Sequence, residues 1–368
     1  MGRVPFACAA VLLAALLGMF VVRPAPAEDA PIFGFAASSA LSQRNLEIGI
    51  RRLPSAERIQ ADHRYLTEEP HVAGTPRDRE LAEWTASEWR KAGLEDVRIV
   101  EHEVLPPFAE DVSVEMLAPR PWRATLREEP VDGDKDTDAD VGLTYHAYSA
   151  SGDVTAPVVY AGSGNPADYD WLAARGIDIK GKIALVRYSV PYSYRGFKAL
   201  TAEKRGAAGI IIYSDPADDG YGRGKVYPEG PWGPESHIQR GGIVYDFMVP
   251  GDPLTPGWAS VPGAKRISAS EAVSLPSIVS VPMSHKDARV ILETLGGPET
   301  PQAWKGGLPI AYRAGPGGGW IWSYEDDLAT RDARDAFHLP IPPDLLPPSL
   351  GRRLVSEGYQ LASFLSAE

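Results

Sequence analysis

The chain has 368 residues, 44% of them hydrophobic and 23% charged, with 49 Asp+Glu against 37 Lys+Arg for a net charge of −12. That length holds two domains of ordinary size and the hydrophobic fraction supports a buried core. The acidic balance, with no Lys/Arg cluster, argues against a nucleic-acid partner.

Residues 1–27 read as a sorting segment. Arg3 gives a positive start, PFACAAVLLAALLGMFVV is an apolar run, and Ala25-Pro26-Ala27 is a small-x-small cleavage site. An uncleaved anchor is the competing reading, because the run approaches the ~20 residues of a membrane span. The small-residue site and the acidic Glu28-Asp29 start favour cleavage after Ala27, hence export to a periplasm or the medium with no membrane segment retained. The single cysteine, Cys8, lies in this segment. The mature chain is therefore expected to hold no disulfide, thiolate nucleophile or Cys-ligated metal.

Residues 28–105 read as helix, turn, helix, strand. Ser55 is placed to cap a helix to about Leu66, with Ala56, Ile59, His63 and Leu66 on one side, His63 being a boundary histidine rather than a ligand. Thr75 as N-cap, Pro76 at the first helical position and Asp78 at N3 open a second helix. Leu81, Thr85, Trp89 and Ala92 repeat at helical spacing and Gly93 ends it. Val97–Leu105 reads as a strand.

Residues 106–315 change texture, with short apolar runs parted by Gly, Pro, Asp and Ser, the pattern of a β-rich domain. Pro157–Ala161 and Lys182–Tyr188 read as buried strands. Helical spacing over Phe197, Leu200 and Thr201 and a further strand at Gly209–Tyr213 make a βαβ unit, so part of the sheet is expected to be parallel. Ser277–Val281 is another strand, leading to a helix capped by Ser284 with Ala288, Ile291, Leu292 and Leu295 on its apolar face, closed by Gly296. Residues 316–368 read as a Gly/Pro-rich tail, with a flexible break at Gly315–Gly319, a stiff stretch from Leu339 and a terminal amphipathic helix on Leu350, Leu354, Leu361 and Leu365.

Three stretches carry a family resemblance. They are Pro70-His71-Val72-Ala73-Gly74-Thr75; Gly181–Tyr188 with Tyr194-Arg195-Gly196; and Tyr213–Asp218 leading to Gln239-Arg240-Gly241 and Gly251–Gly257. In that order they resemble the N-terminal part of the glutamate carboxypeptidase II-like zinc exopeptidases, which include the N-acetylated α-linked acidic dipeptidases and the catalytically silent transferrin receptors. The resemblance runs from about Leu53 to Gly317. It implies an α/β (α+β) fold, with a protease-associated (PA) domain over 106–315 inserted after the helix-helix-strand opening of a zinc-peptidase domain, 28–105.

The resemblance also implies two zinc ions and one structural calcium in the family. The family's zinc ligands begin with a Gly-His-x-Asp signature after the Gly-Pro-Gly matched by Gly315-Pro316-Gly317, and no such signature occurs in this sequence. The expectation is therefore a truncated member without zinc, and non-catalytic as written. His285-Lys286-Asp287 and Glu325-Asp326-Asp327 have the residue types of a ligand set but lack the flanking signature. They read as a helix start and a surface run, and Glu68-Glu69 and Glu128-Glu129 as solvated charges. No Gly-x-Ser-x-Gly elbow supports serine catalysis.

Two site features carry over from the family. Arg195 matches an arginine that the PA domain offers to an acidic substrate, a task that suits a guanidinium because it grips carboxylates bidentately. Pairing of Arg195 with a nearby Asp is the alternative. Thr255 and Trp258 match positions that supply oxygens to the structural calcium, whose remaining ligands are glutamates from the unmatched part of the family. The family's substrate-side Asn after Gln-Arg-Gly is replaced by Gly242, or displaced by an insertion before Gly251. Three functions remain open: a PA-containing, non-catalytic remnant; a peptide- or protein-binding module; and an exported zinc carboxypeptidase or dipeptidase acting on acidic peptides. Oligomeric state is not legible. Residues 28–105 are expected to expose an apolar patch on Trp84, Trp89 and the strand Val97–Val104, with unpaired strand edges.

Overall fold

The computed structural model describes residues 32–189, 192–326 and 336–338. The chain divides into two compact units, residues 1–67 and 68–368. The segment expected to be a signal, and most of the expected tail with its expected terminal helix, lie outside the described residues. Among the described residues no helix is long and apolar enough to cross a membrane.

The first unit holds α1 (Ala37–Arg51) and α2 (Ala56–Thr67). α2 is the helix expected from the sequence, and Ser55 Oγ accepts the Arg58 N–H at 3.2 Å at its start. α1 has no counterpart in the sequence reading, because its N-cap, Ala36, has no side-chain oxygen to signal the start. Leu41, Leu46, Ile50, Leu53 and Ile59 are exposed in this unit.

The second unit opens with α3 (Pro76–Lys91). Its cap forms as the sequence predicts: Thr75 Oγ1 accepts the Asp78 N–H at 3.4 Å, and Asp78 Oδ2 accepts the Gly74 N–H at 3.0 Å. Gly93, at φ +88°, ends the helix in a conformation that suits glycine. Leu81 and Ala86 are buried, and Trp84 and Trp89 are half-buried rather than bare. β1 (Val100–His102) pairs antiparallel with β11 (Ala336–His338), so one of its edges is occupied.

The core is a seven-stranded sheet in the order β3-β2-β10-β5-β6-β7-β9. β2 (Ala109–Met116), β3 (Trp122–Arg123) and β10 (Gly317–Asp326) form its antiparallel side. β5 (Gly152–Tyr160), β6 (Ile183–Arg187), β7 (Gly209–Tyr213) and β9 (Val279–Met283) run parallel. β7, and β6 up to its last residue Arg187, are apolar runs because both faces are covered. β10 pairs antiparallel with β2 on one side and β5 on the other, so the sheet continues past the boundary expected at residue 315.

Helices α4 (Pro166–Ala173) and α5 (Arg195–Lys204) make the crossovers β5–α4–β6 and β6–α5–β7. α4 starts with a full Asn165/Asp168 capping box. α5 turns Gly196, Ala199 and Ala202 inward, small residues that let it approach closely. It also buries Lys198, whose Nζ donates to the carbonyls of Ser163 (2.5 Å), past the end of β5, and Arg187 (3.1 Å), the last residue of β6. Burial brings that ammonium down to about 7. After β9, Ser284 caps α7 (His285–Leu292) through the Asp287 N–H at 3.1 Å, as predicted, and the left-handed residue beyond it is Gly297 (φ +74°) rather than Gly296.

A short helix, α6 (Pro216–Asp219), follows β7 and is opened by the fully buried Asp215. The Asp215 carboxylate accepts the Ala217 and Gly307 N–H groups, both at 2.8 Å, and the Tyr213 hydroxyl at 3.0 Å. A Cβ on Gly306 would lie 1.8 Å from Asp215 Oδ2, so only glycine allows this loop to close over the carboxylate. Gly306→Ala is expected to destabilise the second unit by roughly 1–3 kcal/mol, the usual cost of overpacking. The check is the thermal midpoint, and an unchanged value would show that the loop yields freely.

Candidate binding site

Arg195 is the first residue of α5. Its guanidinium donates to the Arg240 carbonyl at 2.7 Å and sits 4.8 Å from the centroid of the Tyr188 ring. It also lies against Gly241, where a Cβ would come within 2.7 Å of Cζ and where φ is +147°. The preceding Tyr194 hydroxyl takes the nearby acid, donating to Asp246 at 2.6 Å. Arg195 itself has no carboxylate partner among the described residues, so the alternative of an Arg–Asp pair is not what the structure holds. Its Nε is buried without an acceptor. A half-buried cation in this state is costly unless an anion arrives to meet it.

Arg240 turns its side chain the other way. One NH group donates to Glu128 at 2.5 Å and the other to Thr144 at 3.1 Å. Glu128 also accepts the Ile238 N–H at 3.0 Å and lies 3.4 Å from His237 Nδ1. His237 Nε2 reaches Asp219 at 3.1 Å, and Gln239 donates to the same Asp219 oxygen at 2.6 Å. Burial alone would raise the Glu128 carboxyl, but His237, the Ile238 amide and Arg240 outweigh it and hold the group at about 2. The hydrogen bond to Glu128 raises the His237 imidazole; burial opposes this, and Asp219 adds to the rise. The network forms one wall of a cavity of about 960 Å³ whose other walls include Trp232 and Tyr227. Glu128 is thus a partly buried network member, not the solvated charge expected. Its partners lie about 110 residues along the chain, and no local pattern signals them.

The other sequence candidates lie elsewhere. Asp287 accepts the N–H groups of Thr125 (3.0 Å) and Leu126 (3.1 Å) and the Thr125 hydroxyl (3.2 Å). His285 is buried against the edge of the Tyr221 ring, with centroids 5.8 Å apart. Among the described residues no three His, Cys, Asp or Glu side chains gather as a metal site would require, so these residues do not fit the family's zinc pair. Asp327 and the side chains of Glu325 and Asp326 lie outside the described residues.

Thr255 and Trp258 fall in one turn, the Trp258 N–H donating to the Thr255 carbonyl at 3.3 Å. The adjacent Asp252 accepts the Leu105 N–H at 2.6 Å and pairs with Arg266 at 3.2 Å, which ties this turn to the segment after β1. Two carbonyls are a small part of the six to eight oxygens that calcium takes. At Gly242 a Cβ would meet nothing closer than 3.9 Å, so the missing side chain leaves open space beside Arg195's support.

Residues 154–243 match the PA-domain family, a span that includes Arg195, Asp219, His237, Arg240 and Gly241. A probable glutamate carboxypeptidase from Arthroderma benhamiae is 44% identical over 268 residues, covering 69% of this chain and 36% of the relative. The aminopeptidase NAALADL1 from Rattus norvegicus is 32% identical over 334 residues, covering 84% of this chain and 42% of the relative. The chain thus spans well under half the length of these relatives. A zinc aminopeptidase structure from Bacillus subtilis aligns with a TM-score of 0.40 and 18% identity over 75% of this chain and 45% of that one.

The network carries a pH signature. His237 is held above its ordinary value, so the stability it adds is complete below about pH 6.5 and fades as pH rises through its folded-state value. Glu128 is held below its own, so its contribution is present above about pH 4.5 and fades as pH falls toward 2. Both act between those limits. His237→Gln should lower the thermal midpoint most in that window and progressively less at alkaline pH. A deficit that grew with pH would contradict the network.

Proposed function

We propose that this chain, a PA-domain protein corresponding to the amino-terminal part of glutamate carboxypeptidase-like proteins, acts outside the cytoplasm as a module that grips acidic peptides by a carboxylate. The observation that carries this reading is Arg195, a half-buried guanidinium held by the Arg240 carbonyl and the Tyr188 ring, with no carboxylate partner among the described residues. An incoming carboxylate would accept from the N–H groups not taken by Arg240, a charge-assisted pair worth about 1.5–3 kcal/mol. Export is supported by the Arg3 start, the apolar run and the Ala25-Pro26-Ala27 site.

Under this reading the described residues bind and do not hydrolyse. Asp287 has its oxygens committed to Thr125 and Leu126, and His285 is packed in the interior. Hydrolysis by the whole protein would draw its zinc ligands from outside these residues, and a structural calcium would need more than Thr255 and Trp258.

Titration calorimetry with glutamyl-glutamate and its uncharged diamide tests the binding role. The diacid is expected to bind and the diamide not. Arg195→Gln should weaken binding roughly 10–100-fold, and Arg195→Lys should restore only part, because lysine lacks the planar fork. Equal affinity for diacid and diamide would rule the reading out. Zinc per chain, measured by elemental analysis after exhaustive buffer exchange, should be the same in His285→Asn and Asp287→Asn as in the unaltered protein. A loss in either would place a ligand at that residue.

A further inference from the structure

The strand on which Arg195 rests has a parallel neighbour. β4 (His146–Ala147) runs parallel to β8 (Gly241–Gly242), with His146 in register with Gly241, the residue on which the guanidinium rests. His146 is completely buried, as are Ser149 and Ser280 beside it. Its Nδ1 lies 2.7 Å from Ser280 Oγ. Ser280 is fixed in turn, its N–H donating to Ser149 Oγ at 2.8 Å, and Ser149 Oγ donates to the Ala150 carbonyl at 3.1 Å.

Two polar atoms in this neighbourhood are left over: His146 Nε2 and Arg195 Nε are both buried without a partner. They are complementary if the imidazole is neutral with its proton on Nδ1, for then Nε2 carries a lone pair and Arg195 Nε carries a hydrogen. Burial, followed by the charge of Arg195, keeps the imidazole neutral. The other neutral tautomer would turn an N–H toward a cation and leave two donors facing each other. A buried polar atom without a partner is costly enough that the structure should use the arrangement that satisfies both.

We infer that His146 is a positioning residue for Arg195. With Nδ1–H donated to Ser280, it offers its Nε2 lone pair to the Arg195 Nε–H through one shared buried water, and so sets the rotation at which the guanidinium meets a carboxylate. Arg240 fixes one edge of the fork through its carbonyl and His146 fixes another, leaving NH1 for the ligand. This rests on the carboxylate-gripping role of Arg195 for its functional meaning, but the hydrogen-bond arrangement stands apart from any ligand.

The test uses the full chain labelled with nitrogen-15, with Arg195 signals assigned by their loss in Arg195→Lys. The His146 ring shifts should show the proton on Nδ1, and the Arg195 Nε–H should exchange slowly. His146→Phe should speed that exchange at least tenfold and weaken diacid binding about tenfold. His146→Gln, which restores an acceptor near the Nε2 position, should recover both to within about threefold. If His146→Phe fails to fold, Ser280→Ala serves instead, and the tautomer should lose its preference while exchange accelerates. A proton on Nε2, or unchanged exchange in a folded His146→Phe variant, would overturn the inference. Absence of diacid binding in the unaltered protein would refute the carboxylate role alone, since the tautomer and exchange readings do not require a ligand.

Discussion

Arg240 is pulled from two directions, and both sides of the site hang on it. Its carbonyl receives the Arg195 guanidinium, while its own guanidinium is drawn into Glu128 and Thr144. The backbone can serve both only because the next residue is Gly241, whose positive φ and missing side chain leave room for Arg195 to lie against it. His237 and Gln239, on the same short segment, complete the charge network by reaching Asp219. One stretch of five residues thus couples a compensated cluster, in which each charge has its counterpart, to a cation without a carboxylate partner among the described residues. On the proposed reading, that asymmetry is what distinguishes the site around Arg195 from the ion-pair network beside it.

The same logic runs along the ends of the parallel strands. Backbone carbonyls and amides that leave the sheet there need partners, and the chain supplies them with buried ionisable groups. Lys198 collects carbonyls at the ends of β5 and β6, and Asp215 collects amides beyond β7 and from the 306–307 loop. These residues resemble catalytic machinery by composition alone. Their polar atoms are taken up by hydrogen bonds, mostly with the main chain, whereas Arg195 keeps a buried Nε without an acceptor.

How much of this was legible in the sequence follows the range of the interactions. The caps at Thr75 and Ser284, the βαβ unit and its buried strands were readable because each depends on residues within a turn or on a local apolar run. α1 was not, since Ala36 gives no cap signal. Glu128 was misread as solvated because the residues that bury and neutralise it are remote in sequence. His146 gave no sign at all: its meaning comes from Ser280, 134 residues away. Gly315–Gly319 reads locally as a break, and tertiary pairing on both sides makes a strand begin inside it. Arg195 was found through family resemblance rather than pattern, and only the geometry distinguished a free guanidinium from a paired one.

That strand has a temporal consequence. Within the described sheet, β10 joins the hairpin β2–β3 to the parallel strands, yet it is the last of the seven to be synthesised. Residues 109–123 emerge early, with no neighbour waiting for them in the sheet, while β5 through β9 can pair among themselves as they appear. Closing the sheet then means bringing residue 116 to residue 320 across about two hundred residues of chain, a slow, entropically costly step. The parallel half can therefore consolidate during synthesis, whereas the amino-terminal hairpin must remain unpaired at its inner edge until nearly the whole described chain has been made.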